Sequence, residues 1–127
     1  MSAELRVLYV DDEPDIREVA CMALELDPTI ECRGAGSGPD AMAILAEGAW
    51  PADVVLLDVM MPGKDGPAVL AELRARGFKM PVVFITARAQ SHELARFVKY
   101  GAAGVITKPF DPMTLALELK AVLARAK

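Results

Sequence analysis

The chain has 127 residues and a mass of 13.6 kDa, the size of one domain, so residues 1–127 are expected to share a single core. Its 14 Lys and Arg against 18 Asp and Glu leave a net charge of −4, a poor balance for gripping a nucleic-acid backbone by charge alone. With 54% apolar and 25% charged residues the composition excludes a disordered chain, and no apolar run approaches the ~18 residues of a membrane span.

In chain order, the first apolar run is Leu5 to Val10 (LRVLYV), stopped by Asp11 and Asp12. With Glu4 ahead and acids behind, it does not read as a secretion signal, and a cytoplasmic location is expected. Pro14 opens a helix in which Ile16, Val19, Ala20, Ala23 and Leu24 follow the spacing of one buried face. Asp12 or Glu13 is positioned to cap it. After Pro28 comes a weak strand, Thr29 to Arg33 (TIECR). The following Gly34 to Gly38 (GAGSG) has Pro39 where a dinucleotide-binding loop needs its third glycine, so it reads as a flexible turn. Ala41, Met42, Ile44 and Leu45 mark a short helix closed by Gly48.

The run Val54 to Leu57 (VVLL) ends at Asp58, and Val69, Leu70 and Leu73 then mark a helix stopped by Gly77. Pro81 to Ile85 (PVVFI) ends at Thr86. Ser91 reads as the cap of a helix that turns Leu94, Phe97 and Val98 inward and stops at Gly101. Gly104 to Thr107 (GVIT) ends at Lys108. Asp111 and Pro112 read as cap and first-turn proline of a last helix burying Leu115, Leu119 and Val122.

Short β-branched runs without alternation suit strands buried on both faces of a parallel sheet. Strand and helix alternate five times, which predicts an α/β chain of βαβ units with right-handed crossovers. Five strands are too few for a closed eight-stranded barrel, so an open doubly wound sheet is expected. Cys21 and Cys32 lie outside any CxxC pattern and read as free buried thiols. Zinc is not expected, because His92 is the one histidine. His92 itself reads as an exposed helix-start residue, and the Met60–Met61 pair as packing.

Open α/β sheets bind ligands beyond the carboxyl ends of their strands. The residues that end the runs are Asp11 and Asp12, Asp58, Thr86 and Lys108: three carboxylates, a hydroxyl and an ammonium on one sheet edge. Any one of them alone is an ordinary cap, turn former or solvated lysine. Two carboxylates ~4 Å apart repel by roughly 4 kcal/mol at an effective dielectric of ~20, so three in one crevice call for a divalent cation or strong pKa shifts. Oxygen ligands suit Mg²⁺, or Mn²⁺. A cation beside a lysine and a hydroxyl is equipment for phosphoryl transfer, with Asp58 the natural acceptor and Asp11 and Asp12 the natural metal holders.

The segments VLYVDDEPD, VVLLDVMMPGKDG, FITA and GVITKPF together resemble the signatures of the receiver domain of two-component response regulators, over essentially the whole chain. The resemblance implies a flavodoxin-like (βα)5 fold with strand order 2-1-3-4-5. It implies that Asp58 is the phosphoacceptor and that Asp11, Asp12, Asp58 and the Met60 carbonyl hold Mg²⁺. Thr86 and Lys108 would contact the phosphoryl group, and the Lys108–Pro109 bond would be cis. It further implies a phosphohistidine donor on a histidine kinase or phosphotransfer protein, a downstream protein target, and no direct nucleic-acid or membrane partner. Such a domain catalyses only its own phosphorylation and dephosphorylation and is not an enzyme for an outside substrate.

An aromatic residue three positions before the lysine takes part in switching in this family. Val105 stands there, and Tyr100 is on another element, so Thr86 and the loop Ala87 to Gln90 are expected to carry the switch largely alone. Met60 and Arg88, two residues beyond Asp58 and Thr86, are neither amides nor carboxylates, which predicts slow to moderate loss of the phosphoryl group. A phosphatase of the haloacid-dehalogenase type would carry a second Asp where Met60 stands. A receiver fold that binds partners without phosphorylation is the other reading. The chain stops at Lys127, which suggests either a stand-alone receiver of the chemotaxis kind or an excised domain. By the same resemblance the partner face is expected over roughly Ser91 to Ala126.

Overall fold

The apolar runs become five strands because each is too short and too β-branched to form a helix, and each is bounded by Gly, Pro or acid. The computed structural model describes residues 4–63, 65–87 and 91–126, and for 91–94 the backbone course alone. The elements alternate as β1 (Leu5–Val10), α1 (Pro14–Leu24), β2 (Ile30–Ala35), α2 (Gly38–Glu47), β3 (Val54–Asp58), α3 (Gly66–Ala75), β4 (Val82–Thr86), α4 (Ser91–Lys99), β5 (Gly104–Thr107) and α5 (Leu115–Arg125). All neighbouring strands are parallel, in the order β2-β1-β3-β4-β5. The expected doubly wound, flavodoxin-like sheet is therefore the observed one, and the Lys108–Pro109 bond is cis.

The two faces of the sheet bury separate clusters. Val7, Tyr9, Val54 and Leu56 pack against Ala20, Ala23 and Leu24 of α1 and Leu115, Leu119 and Val122 of α5. Leu8, Val10, Val55 and Leu57 pack against Ala41, Met42 and Leu45 of α2 and Val69, Leu70 and Leu73 of α3. Alternate residues of one strand thus feed opposite layers, and β3 and β4 are buried along their whole length. The central strands cannot shift register by one residue without exchanging their two layers.

Several sequence expectations need correction. β2 begins one residue later and runs two residues further than TIECR, so Gly34 and Ala35 are strand and not turn. α2 starts at Gly38, ahead of its apolar stripe, because the Ser37 hydroxyl accepts from the Asp40 N–H at 3.1 Å. At its other end Gly48 takes the left-handed conformation with φ of 72°. Asp111 does not cap the last helix. Its carboxylate and carbonyl accept from the Met113 and Thr114 N–H groups, closing a turn, and α5 begins only at Leu115.

Val19 and Val98, expected inside, are 47% and 62% exposed. In α4 the inward position belongs to Phe97, whose ring meets Phe84 edge-on at 5.1 Å, and Val98 lies one helical step round from it. In α1 the helix turns Ala20, Ala23 and Leu24 to the sheet, and Val19 flanks a surface pocket with Ile16, Pro109 and Phe110. Cys21 and Cys32 are free, as expected, but half-buried. The expected roles of Arg88, of the 88–90 loop and of the Ser91, His92 and Leu94 side chains lie outside the described residues.

Candidate functional site

Strand order reverses between β1 and β3, because the chain visits β2 on one side and then crosses to the other. Two adjacent carboxyl ends with no crossover between them leave a crevice there. Asp11 directly follows β1, Asp58 is the last residue of β3, and Thr86 is the last of β4. Lys108 directly follows β5, and its N–H donates to the Thr86 carbonyl at 2.7 Å, tying two strand ends together.

Oxygens of Asp11, Asp12 and Asp58 lie within 4.8 Å of one another. Asp11 is fully buried, Asp58 is 3% exposed and Asp12 is half-buried. Lys108 reaches across the sheet edge, its Nζ 3.3 Å from Asp11 Oδ2 and 3.4 Å from Asp58 Oδ1. Three carboxylates against one ammonium leave a formal charge of −2 in a largely buried pit. All the donors are hard oxygens, which fits a divalent Mg²⁺ or Mn²⁺ in both charge and chemistry.

Asp11 is the most tightly held. Its Oδ1 accepts from the Glu13 N–H at 3.0 Å, and its Oδ2 accepts from the Tyr9 hydroxyl at 3.2 Å. Glu13 occupies the cap position of α1 without a side-chain cap bond. Asp11, and neither of the expected candidates, therefore satisfies a backbone donor at the entry to that helix. The Asp11 carbonyl accepts from Arg17 Nη1 at 2.8 Å. Arg17 can lie there because Gly34 and Gly36 make room: a Cβ on Gly34 would stand 2.7 Å from Arg17 Cγ, and one on Gly36 3.0 Å from Nη1. The paired glycines thus seat an arginine behind the pit. Nothing in the sequence pattern identified Tyr9 or Arg17 as part of the site. The available signals were a lone hydroxyl in an apolar strand and two glycines spaced by one residue.

Asp58 accepts from the Met60 N–H at 3.3 Å, while the Met60 side chain is exposed. The start of α3 closes on this corner, for a Cβ on Gly66 would stand 2.9 Å from Val59 Cα. Thr86 is buried and lines a cavity of about 190 Å³ together with Met60, Phe97 and Tyr100. Tyr100, from the end of α4, therefore borders the same space as Thr86. Val105 is half-buried against the core that contains Phe84.

Burial pushes the Asp58 carboxyl above the usual carboxylate range; Lys108 opposes that shift and the Asp11 charge adds to it. Burial disfavours the Lys108 charge, but Asp58 and Asp11 outweigh it and hold the ammonium above its usual range. Burial and then the neighbouring Asp11 charge raise the Tyr9 phenol, which keeps it a donor. The pit thus holds a buried carboxylate whose charge awaits compensation, beside a permanent cation.

The response regulator receiver domain family matches residues 7–120. Among curated proteins, the phosphate regulon transcriptional regulatory protein PhoB of Escherichia coli is 36% identical over 124 residues, covering 94% of this chain and 52% of that protein. The transcriptional regulatory protein CseB of Streptomyces avermitilis is 36% identical over 126 residues, covering 98% of this chain and 52% of that protein. The chain spans about half the length of the curated relatives it matches. Among solved structures, the chemotaxis protein CheY4 of Vibrio cholerae superposes with a TM-score of 0.83 at 30% identity, covering 94% of this chain and 99% of that one. The receiver domain of NarL from Mycobacterium tuberculosis gives 0.80 at 32% identity, covering 98% and 97%.

Proposed function

The chain belongs to the response regulator receiver domain family of two-component signalling, and from that premise we propose that it accepts a phosphoryl group on Asp58. The observation that carries this reading is the convergence of Asp11, Asp12 and Asp58 within 4.8 Å, with Lys108 Nζ 3.3 and 3.4 Å from two of them. Asp11, Asp12, Asp58 and the Met60 carbonyl would hold Mg²⁺, which supplies charge neutralisation for the phosphoryl oxygens.

The remaining work falls to side chains. An Asp58 carboxylate oxygen attacks phosphorus, the P–N bond to the donor imidazole breaks, and the imidazole leaves with the bonding pair. Lys108 moves from pairing carboxylates to pairing a phosphoryl oxygen, and the Thr86 hydroxyl donates to another. Arg17, Tyr9 and the Glu13 N–H hold Asp11 still throughout. The chain then serves only its own Asp58 and is not an enzyme for an outside substrate. Its donor is a histidine kinase or phosphotransfer protein, and its place is the cytoplasm.

Thr86, drawn toward the new phosphoryl group, would move the start of the following loop and bias α4. The readout surface is the α4–β5–α5 face, where Val98, Tyr100, Met113 and Leu117 are exposed. With beryllofluoride bound, amide shifts should move from Ala87 to Ser91; unmoved shifts would reject this switch. Met60 offers no group to orient water, so the phosphoryl group should persist well beyond a few seconds in a hydrolysis time course.

Incubation with acetyl phosphate and Mg²⁺ tests the central reading. One hydroxylamine-labile phosphoryl group per chain is expected, and none on Asp58→Asn. Turnover of many equivalents would make the chain a phosphatase. No uptake at all would leave an interaction module that works without phosphorylation.

A further inference from the structure

Helix α1 crosses back over the sheet and runs antiparallel to β2, so a step toward its C-terminus matches a step toward the start of that strand. Arg17 packs over Gly34 at the near end. Four residues along α1 advance about 6 Å, and two residues back along β2 about 6.6 Å. The next rung therefore brings Cys21 over Cys32. Both side chains pack on the α1–α5 side of the sheet, and each thiol shifts the other's ionisation. They are free and half-buried, and they line an open pocket of about 430 Å³ with Arg17, Glu18, Met22 and Glu25. The phosphoryl chemistry uses neither of them.

We propose that Cys21 and Cys32 form a dithiol site that closes to an intrachain disulfide by exchange with a low-molecular-weight disulfide. The Cys21 thiolate attacks one sulfur of that disulfide, breaking its S–S bond and releasing one thiolate. Cys32 then gives up its proton and attacks the Cys21 sulfur, expelling the second thiolate. The two cysteines are oxidised, the external disulfide is reduced to two thiols, and those thiols carry the two cysteine protons. Cys21 is the attacking group. The neighbouring Cys32, and after it Arg17, draw its pKa below the usual thiol value, while Cys21 and burial raise that of Cys32. The closed bridge would fix α1 on β2 one rung from the arginine that holds Asp11.

The test exposes the folded chain to oxidised and reduced glutathione and reads intact mass and free thiols. The expected result is loss of two hydrogens and of both titratable thiols, with no glutathione retained. Cleavage before Asp27 separates the two cysteines in sequence, so the two fragments should stay joined until reduced. Cys21→Ser and Cys32→Ser should each retain one glutathione instead. Two glutathione adducts without a bridge, a bridge only between two chains, or unreacted thiols would each overturn the proposal.

Discussion

Two lysines of this chain each meet an aspartate brought from far along the sequence, and the two meetings have opposite consequences. Lys108 sits at the carboxyl edge of the sheet between Asp11 and Asp58, in a largely buried pit. Lys120 of α5 reaches Asp27, in the turn between α1 and β2, with Nζ 2.6 Å from Oδ2 and 3.0 Å from the Thr29 hydroxyl. Lys120 is 42% exposed. At Asp27 the hydrogen bonds from Lys120 and Thr29 lower the carboxyl from 3.8 to about 2. At Asp58 burial wins, and the carboxyl rises although an ammonium lies 3.4 Å away. The same pair of groups is a staple where water still reaches it, and a store of uncompensated charge where water does not. A site for a cation and a phosphoryl group needs the second kind.

The sharpest way to break this contrast is to neutralise each aspartate. Asp58→Asn should abolish phosphoryl uptake from acetyl phosphate while raising the thermal midpoint of the metal-free chain at neutral pH. Asp27→Asn should keep uptake at the wild-type level and lower that midpoint. Next in size is the cation: Mg²⁺ at about 100 times its Kd should stabilise the wild type by about 2.7 kcal/mol in urea unfolding. Asp12→Asn should lose most of that gain and Lys120→Met none of it.

Lys108→Met strands two buried carboxylates and should destabilise the metal-free chain by about 2 kcal/mol. That is less than the full ~3–5 of a broken buried pair, since Asp58 can take a proton. Lys120→Met should lose less. Arg17→Ala leaves every carboxylate in place but releases the Asp11 carbonyl, and should weaken Mg²⁺ binding about tenfold by calorimetry. Were affinity unchanged, the arginine seated by Gly34 and Gly36 would be packing only.

The smallest effect is in pH. Because the Asp27 carboxyl is lowered from 3.8 to about 2 in the folded chain, its contribution is complete above pH ~4 and disappears as pH falls toward 2. The stability gap between wild type and Asp27→Asn should close over that window. For Asp58 the sign reverses. Its raised pKa makes the ionised form unfavourable to the fold, so the gain from Asp58→Asn should be present at neutral pH and vanish below pH ~4.

Most of the pit was legible beforehand because each of its residues ends an apolar run. Asp11, Asp12, Asp58, Thr86 and Lys108 stand out where a buried strand gives way to polar chemistry, and parallel strands put all such ends on one edge. Faces were harder to read than ends. Val19 and Val98 satisfy a helical period, yet the sheet accepts a narrower stripe, led in α4 by Phe97 against Phe84. Caps were harder still: Asp111 has the composition of a helix cap but closes a turn three residues early.

By itself the order of residues determined the alternation of strand and helix, the parallel sheet and the polar edge, since all three follow from local period and from where hydrophobic runs stop. Only the folded arrangement decided that Arg17 holds Asp11 through the space left by two glycines, that Lys120 clasps Asp27, and that Cys21 and Cys32 line one pocket. Those contacts join elements whose separation in space is set by layer packing and strand register. No local pattern encodes the distance between two side chains until the sheet between them has formed.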